Sequence, residues 1–267
     1  LNSVTILALG DLIGSPGRDC LKRWLPQIKE DWNPDIFLVN GENAASGSGM
    51  TEKIFLELTQ KYGFDVVTTG NHWLGKKNPE LFLGQHRNLL LPANMYNVSD
   101  PSLGFCIRKT ASGVSYAVIN LIGRVYMQQG NRCPFKAAQE ILARIPKSVS
   151  IRIIDMHGEV TSEKQALAYS VKDLVSLCYG THTHCPTADE RIWGDRMGYI
   201  TDLGMTGAYD SIIGMQKEAS LEYFLTGHKK EYEPARGHPW LCGVIAKVDA
   251  GTGRCYFIER IRYSSMV

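Results

Sequence analysis

Seven side chains able to ligate a metal each follow an apolar run. VTILALG precedes Asp11, DIFLVNG precedes Glu42 and Asn43, and DVVTTG precedes Asn71. IRIIDM precedes His157, and VSLCYG leads into His182 and His184. Carboxylate, amide and imidazole donors with no obvious thiolate suit borderline first-row divalent metals. Two carboxylates, two amide oxygens and three imidazoles are too many for one tetrahedral zinc. They are enough for two metals sharing a bridging ligand. Two ions about 3.5–4 Å apart can clamp a phosphoryl group and lower the pKa of a bound water toward about 7, giving a hydroxide in line with the leaving oxygen. The leaving alkoxide then needs a proton, and His72, beside Asn71, is the candidate acid.

Each position has a plainer reading. Asp, Asn and Gly after a strand are common turn residues, and a single strand-end histidine such as His157 is more often structural. His182 and His184 are two apart, so on a strand they would share a face, which suits ligation or solvation equally. Five strand ends of the same character are harder to explain by turns. In open α/β sheets ligands bind outside the carboxyl ends of the strands, so five neighbouring strands would bring these groups together.

The elements that must position them are legible. VTILALG, DIFLVNG and DVVTTG read as buried strands, separated by the amphipathic helices GRDCLKRWLPQIKEDW and TEKIFLELTQKYG, with Pro34 and Gly63 as stop signals. This alternation predicts parallel strands with crossover helices. Further on, GFCIRKTA and GVSYAVINLIG form a hairpin, FKAAQEILARI a helix, SVSIRIIDMHG a strand, EKQALAYSVKDLV a helix and VSLCYGTHTH a strand running into a loop. GYITDLGMTGAYDSIIG reads as a short strand and a glycine-rich loop, KEASLEYFLTG as a helix, and WLCGVIAKVDAGTGRCYFIERIRY as a closing hairpin. Without linkers or repeats, residues 1–267 are expected to form one domain with a mixed sheet or two stacked sheets and helices outside.

The composition is that of a soluble globular chain, 44% hydrophobic and 21% charged, with a net charge of +2 that singles out no polyanion or membrane partner. Seven cysteines without a CxxC pair read as reduced thiols of a cytoplasmic protein. No apolar run reaches the roughly 18 residues of a membrane helix. The opening LNSVTILALGDLIG reads as a buried strand rather than a leader.

Taken together, GDLIGSPGR, NGENAASGSGMTEK, TTGNHW, TSEKQAL, GTHTHCPTADERI and YITDLGMTGAYDSIIGM resemble the calcineurin-like metallophosphoesterases, and within them the bacterial YmdB-like branch. The resemblance runs in order from about residue 5 to about residue 262. It implies a four-layer αββα sandwich of two stacked mixed sheets flanked by helices. It implies a dinuclear centre, iron first, with manganese or zinc as alternatives. Asp11, Glu42, Asn43 and His184 would serve one metal, and Glu42, Asn71, His157 and His182 the other, with His72 as leaving-group acid. The implied activity is hydrolysis of phosphodiesters, with 2′,3′-cyclic nucleotides favoured, by a cytoplasmic homo-oligomer. Three departures stand out. Ile13 replaces the histidine usual in the wider superfamily, Gly-Glu-Asn replaces Gly-Asp, and Trp73-Leu74-Gly75 replaces the branch's Thr-Trp-Asp, removing an acid that would orient His72. The last change leaves open a metal-bearing regulatory or RNA- or nucleotide-binding protein with little turnover. A phosphomonoesterase or nucleotidase would use the same metals.

Other segments carry weaker signals. GDLIGSPG is neither G-x-G-x-x-G nor a P-loop, and its glycines read as allowing close backbone approach or a turn. The amides of GMTGAYDSIIG could hold a phosphate oxygen or simply turn the chain. GHKKEYEPARGHP, with Lys229 and Lys230 offset by Glu231 and Glu233, reads as a solvated loop, and no basic–aromatic pattern marks an RNA module. Trp73 and Trp193 read as packing residues before base-stacking ones, and Cys185 as a small buried hydrophobe.

Overall fold

The computed structural model describes residues 2–73, 75, 84–96, 98, 100–127, 129–228 and 230–265. β1 (Ser3–Leu9) passes through Gly10 into the short β2 (Asp11–Leu12), and α1 (Gly14–Trp32) follows. α1 stops where Asn33 adopts a left-handed φ of 43° ahead of Pro34. β3 (Ile36–Asn40) leads to α2 (Glu52–Leu56), capped by Thr51 Oγ1 accepting the Ile54 N–H and extended by a π-helical turn over Glu57–Lys61. Gly63 at φ 83° ends that segment before β4 (Val66–Thr68) and the two-residue β5 (Leu89–Leu90). β6 (Phe105–Lys109) and β7 (Ser115–Ile122) form the expected hairpin, followed by α3 (Pro134–Arg144), β8 (Ile151–His157), α4 (Thr161–Val171) and β9 (Leu177–Thr181). β10 (Arg191–Trp193), β11 (Met197–Ile200), β12 (Met205–Ala208) and α5 (Lys217–Thr226) precede the closing hairpin of β13 (Pro239–Asp249) and β14 (Cys255–Ser264). β5 and β10 are too short to leave a periodic signal in the sequence.

Among the described residues these strands form two mixed sheets. The first has the order β2-β12-β13-β1-β3-β4-β5, with β14 paired to β13. Its β1, β3, β4 and β5 are parallel, and β13 runs against β1. The second has the order β10-β11-β9-β8-β7-β6, parallel from β7 through β8 and β9 to β11, with antiparallel edges.

The period-2 geometry of a strand decides what each face buries. In β1, Leu7 and Leu9 pack against Leu21, Leu25 and Ile28 of α1, while Val4, Ile6 and Ala8 point the other way. That inner face meets Tyr116, Val118, Ile151, Ile153 and Leu177 of the second sheet. The second sheet's outer residues, Ile119, Ile154 and Met156 among them, bury Ile141 and Leu142 of α3 and Leu167 and Val171 of α4. The result is two stacked mixed sheets with helices outside, the αββα sandwich that the family resemblance implies. Each such aliphatic side chain stabilises the fold by about 1.5–3 kcal/mol when removed from water.

The stacking corrects one detail of the strand-end reading. The five strands are not a single run of neighbours. β1, β3 and β4 adjoin in one sheet and β8 and β9 in the other, so the two carboxyl edges meet across the sandwich.

Candidate metal centre

The first sheet delivers Asp11 from β2, Glu42 and Asn43 just past β3, and Asn71 and His72 past β4. The second delivers His157 as the last residue of β8 and His182 and His184 past β9. Asp11, Glu42 and His157 are fully buried, Asn43 and His184 nearly so. His157 Nε2 lies 2.9 Å from Asn71 Oδ1, 3.3 Å from Glu42 Oε2 and 3.1 Å from His182 Nδ1. On the other side of Glu42, Asn43 Nδ2 is 3.0 Å from Glu42 Oε1 and 3.2 Å from His184 Nε2, and His184 Nε2 is 3.9 Å from Asp11 Oδ1. Glu42, His157 and His182 form one triplet, and Asp11, Glu42 and His184 a second, each with its ligand atoms within 4.8 Å of one another. Glu42 belongs to both.

The donor chemistry fits a pair of cations. Asp11 Oδ2 accepts the His182 N–H at 3.0 Å, yet its Oδ1 is buried with no hydrogen-bond partner. Asn71, Glu42 and His182 turn lone-pair atoms toward His157 Nε2. One Nε2–H of His157 cannot serve three acceptors at once, whereas a bound cation satisfies all of them. Burial pushes the Asp11 carboxyl up to about 6 against the pull of His184 and His157. Burial also opposes the Glu42 charge, but the His157 and His72 imidazoles outweigh it and hold that carboxyl well below its usual range. His157 is raised to about 9 because Glu42 and Asp11 overcome its own burial, whereas burial and the neighbouring His157 drive His182 down to about 3.

The two histidines past β9 are not on a strand face. β9 stops at Thr181, and His182 and His184 take φ values of 101° and 64°, a region that non-glycine residues enter at a cost of about 1–3 kcal/mol. The shared-face reading therefore fails, and a strained bend converges the rings instead. Three contacts hold it. Asp11 takes the His182 N–H, Asp202 Oδ2 takes the Thr183 N–H at 3.2 Å, and His184 Nδ1 donates to the Ile213 carbonyl at 2.8 Å. Asp202 is itself paired with Lys164 at 2.7 Å, both 1% exposed.

His72 is oriented without the missing acid. Its backbone N–H donates to Glu42 Oε2, its Nδ1 lies 3.0 Å from Asn43 Oδ1 and 3.5 Å from Glu42 Oε1, and its ring is 47% exposed. The hydrogen bond to Glu42 raises its pKa. Trp73 packs among Leu91, Met95 and Ile122, and Trp193 against Tyr199 and Tyr169, so both are packing residues. Leu74 and Lys229 lie outside the described residues. Cys185 is exposed, not the small buried hydrophobe expected, because the bend at His184 turns the chain outward. The glycine-rich segment after β11 is a connection that buttresses the site. Gly204 O accepts the Asp11 N–H, and a Cβ on Gly10 would sit 1.9 Å from that same oxygen. Lys230 is paired with Glu222, as a solvated loop would have it.

Sequence reading missed the residues behind the ligating atoms. Glu159 Oε2 lies 3.0 Å from His182 Nε2. Thr181 Oγ1 faces His157 Nδ1 at 2.9 Å, with Asp155 behind it. The one available signal was position: Asp155 precedes His157 by two on the same strand and so shares its face.

The family described as YmdB-like protein matches residues 7–261. The chain belongs to that family. This YmdB-like chain is 42% identical over 256 residues to the 2′,3′-cyclic-nucleotide 2′-phosphodiesterase of Bacillus subtilis (strain 168), covering 96% of each. Among solved structures it is similar to a hypothetical protein from Thermus thermophilus, at a TM-score of 0.89 and 32% identity, covering 98% of this chain and 99% of that one. A novel phosphatase from Mycoplasma pneumoniae is similar at a TM-score of 0.89 and 30% identity, covering 99% of this chain and 94% of that one.

Proposed function

We propose that this YmdB-like chain is a metal-dependent phosphodiesterase whose substrates are 2′,3′-cyclic nucleotides. The observation that carries the reading is Glu42, common to two triplets of candidate ligating atoms, one buried throughout and one with only His182 part-exposed. The name of the Bacillus subtilis relative, 42% identical along nearly its whole length, supports the substrate class. Asp11, Glu42, Asn43 and His184 are assigned to one metal, Asn43 by an amide turned so that its oxygen takes the place of the nitrogen beside Glu42 and His184, and Glu42, Asn71, His157 and His182 to the other. The oxygen and imidazole donors accept iron, manganese or zinc alike, and the family resemblance puts iron first.

Two ions held by these residues would supply charge neutralisation at the phosphoryl oxygens and acidify a water. The chain's own residues do the rest. Glu42 sets the spacing of the two halves through contacts to both. The backbone bend at residues 182–184 presents two imidazoles whose outer nitrogens are engaged elsewhere. His72, oriented by Asn43 and Glu42 and half open to solvent, delivers a proton to the leaving ribose oxygen.

A cytoplasmic homo-oligomer is part of the same reading. All seven cysteines are free, and α5 exposes Leu221, Phe224 and Leu225, as that reading requires. No helix among the described residues is long and apolar enough to cross a membrane.

The test is elemental analysis of chain purified without chelators, followed by turnover of 2′,3′-cyclic nucleotides, linear diesters and monoesters with added Mn²⁺ or Fe²⁺. Two metals per chain and turnover of the cyclic diesters are expected. Tight nucleotide binding without turnover, or preference for monoesters, would replace this reading.

A further inference from the structure

A polar network crosses the layer between the two sheets directly beneath the centre. Asn40 and Thr68 come from the first sheet, Asp155 and Thr181 from the second, and all four are fully buried. The directions of their hydrogen bonds are determined one after another. Asn40 Oδ1 accepts the Glu42 N–H at 3.1 Å, so its amide nitrogen points the other way, 3.2 Å from Asp155 Oδ2 and 3.3 Å from Thr181 Oγ1. Thr68 Oγ1 donates to Asp155 Oδ2 at 2.5 Å. Asp155 Oδ1, an acceptor, takes the Thr181 hydroxyl proton at 2.7 Å. Thr181 has then spent its only proton, so toward His157 Nδ1, 2.9 Å away, its oxygen can only accept. His157 must carry hydrogen on Nδ1, so Nε2, which faces Glu42, Asn71 and His182, is the nitrogen left to ligate a metal.

We propose that Asp155, acting through the Thr181 hydroxyl, is a positioning residue that determines which nitrogen of His157 faces the metal centre, while Asn40 locks Glu42 of the opposite sheet to the same network. The proposal rests on the reading of His157 as a metal ligand. It gives a physical task to a carboxylate that touches no ligand directly. Partners behind a ligating histidine fix ring orientation and raise its basicity, and removing one costs about 10–100-fold in metal affinity or activity.

The test uses the full chain, labelled with ¹⁵N-histidine, in native form and as Thr181→Val, Thr181→Ser and Asp155→Asn. Zn²⁺ is the titrant in calorimetry, and the His157 Nδ1–H resonance is read in the same samples. The native chain and Thr181→Ser should show a slowly exchanging Nδ1–H and tight binding at both sites. Thr181→Val, which keeps the shape and removes the hydroxyl, should lose that resonance's protection and weaken one of two Zn²⁺ sites about 10–100-fold. Asp155→Asn, if folded by thermal melt, should weaken the same site. Thr181→Val with a native Nδ1–H and native affinities would overturn the proposal, and so would equal weakening of both sites, the mark of a merely structural role. A native chain that binds no Zn²⁺ would overturn the functional reading instead, and the Nδ1–H series would still decide whether Thr181 holds His157.

Discussion

Glu42 and His72 lie side by side, yet they should fail in different ways when altered. Glu42 contributes to both triplets, so Glu42→Gln keeps the shape of the side chain and removes the shared charge. Both metals should be lost, whereas Asn71→Ala, which touches only the His157 side, should leave the Asp11–His184 side occupied. Elemental analysis of the purified variants measures this, and full occupancy in Glu42→Gln would refute the sharing. His72→Ala should retain both metals. Its turnover of cyclic nucleotides should fall about 10²–10⁴-fold, the usual worth of a positioned general acid. An activated nitrophenyl diester should be hydrolysed almost as well as by the native chain, since that leaving group needs little protonation. Equal losses on both substrates would take His72 out of the acid role.

At the scale of elements, the bend after β9 matters most, because it holds two histidines at positive φ. Its anchor outside the centre is the Lys164–Asp202 pair, which joins α4 to the turn after β11. Removing one member of a buried pair strands the other charge and costs about 3–5 kcal/mol, while replacing both with apolar residues is often neutral. Lys164→Met alone should therefore destabilise by about that amount, and Lys164→Met with Asp202→Leu should recover only part of it in urea unfolding, because the Thr183 and Gly204 N–H groups lose their acceptor. The double variant should still bind metal poorly, because the Thr183 N–H has lost its acceptor. Native metal binding by the double variant would show that the bend needs no anchor there.

Considered as a whole, the molecule splits its centre between two sheets, so bound metal ties the halves of the sandwich together. Ligands that bind only the folded state add stability by mass action, about 2.7 kcal/mol at a hundredfold excess over Kd. Stripping the chain with a chelator should lower Tm, and adding back Mn²⁺ should restore it; scanning calorimetry with an unchanged Tm would argue against a centre that spans both sheets. The apolar face of α5 belongs to the same scale. Phe224 and Leu225 are 77% and 81% exposed, so Phe224→Asp should shift an oligomer toward monomer in sedimentation without altering metal content.

The longer elements, a class of mixed or stacked sheets with helices outside, and the polar residues at the strand ends were readable from local pattern; the four-layer sandwich came from the family resemblance. Apolar runs of strand length, helices between them and a polar residue at each strand's end are properties of neighbouring residues, and α1, β3, β8 and the closing hairpin lie where those patterns put them. What lay beyond the sequence was relation at a distance. The separation of five strands into sets of three and two, the positive φ at His182 and His184, the exposure of Cys185 and the network from Asn40 through Asp155 to His157 depend on residues up to 171 positions apart. Local periodicity tells which face of a strand is buried. It does not tell what the buried face meets, and only the packing of one sheet on the other decides that.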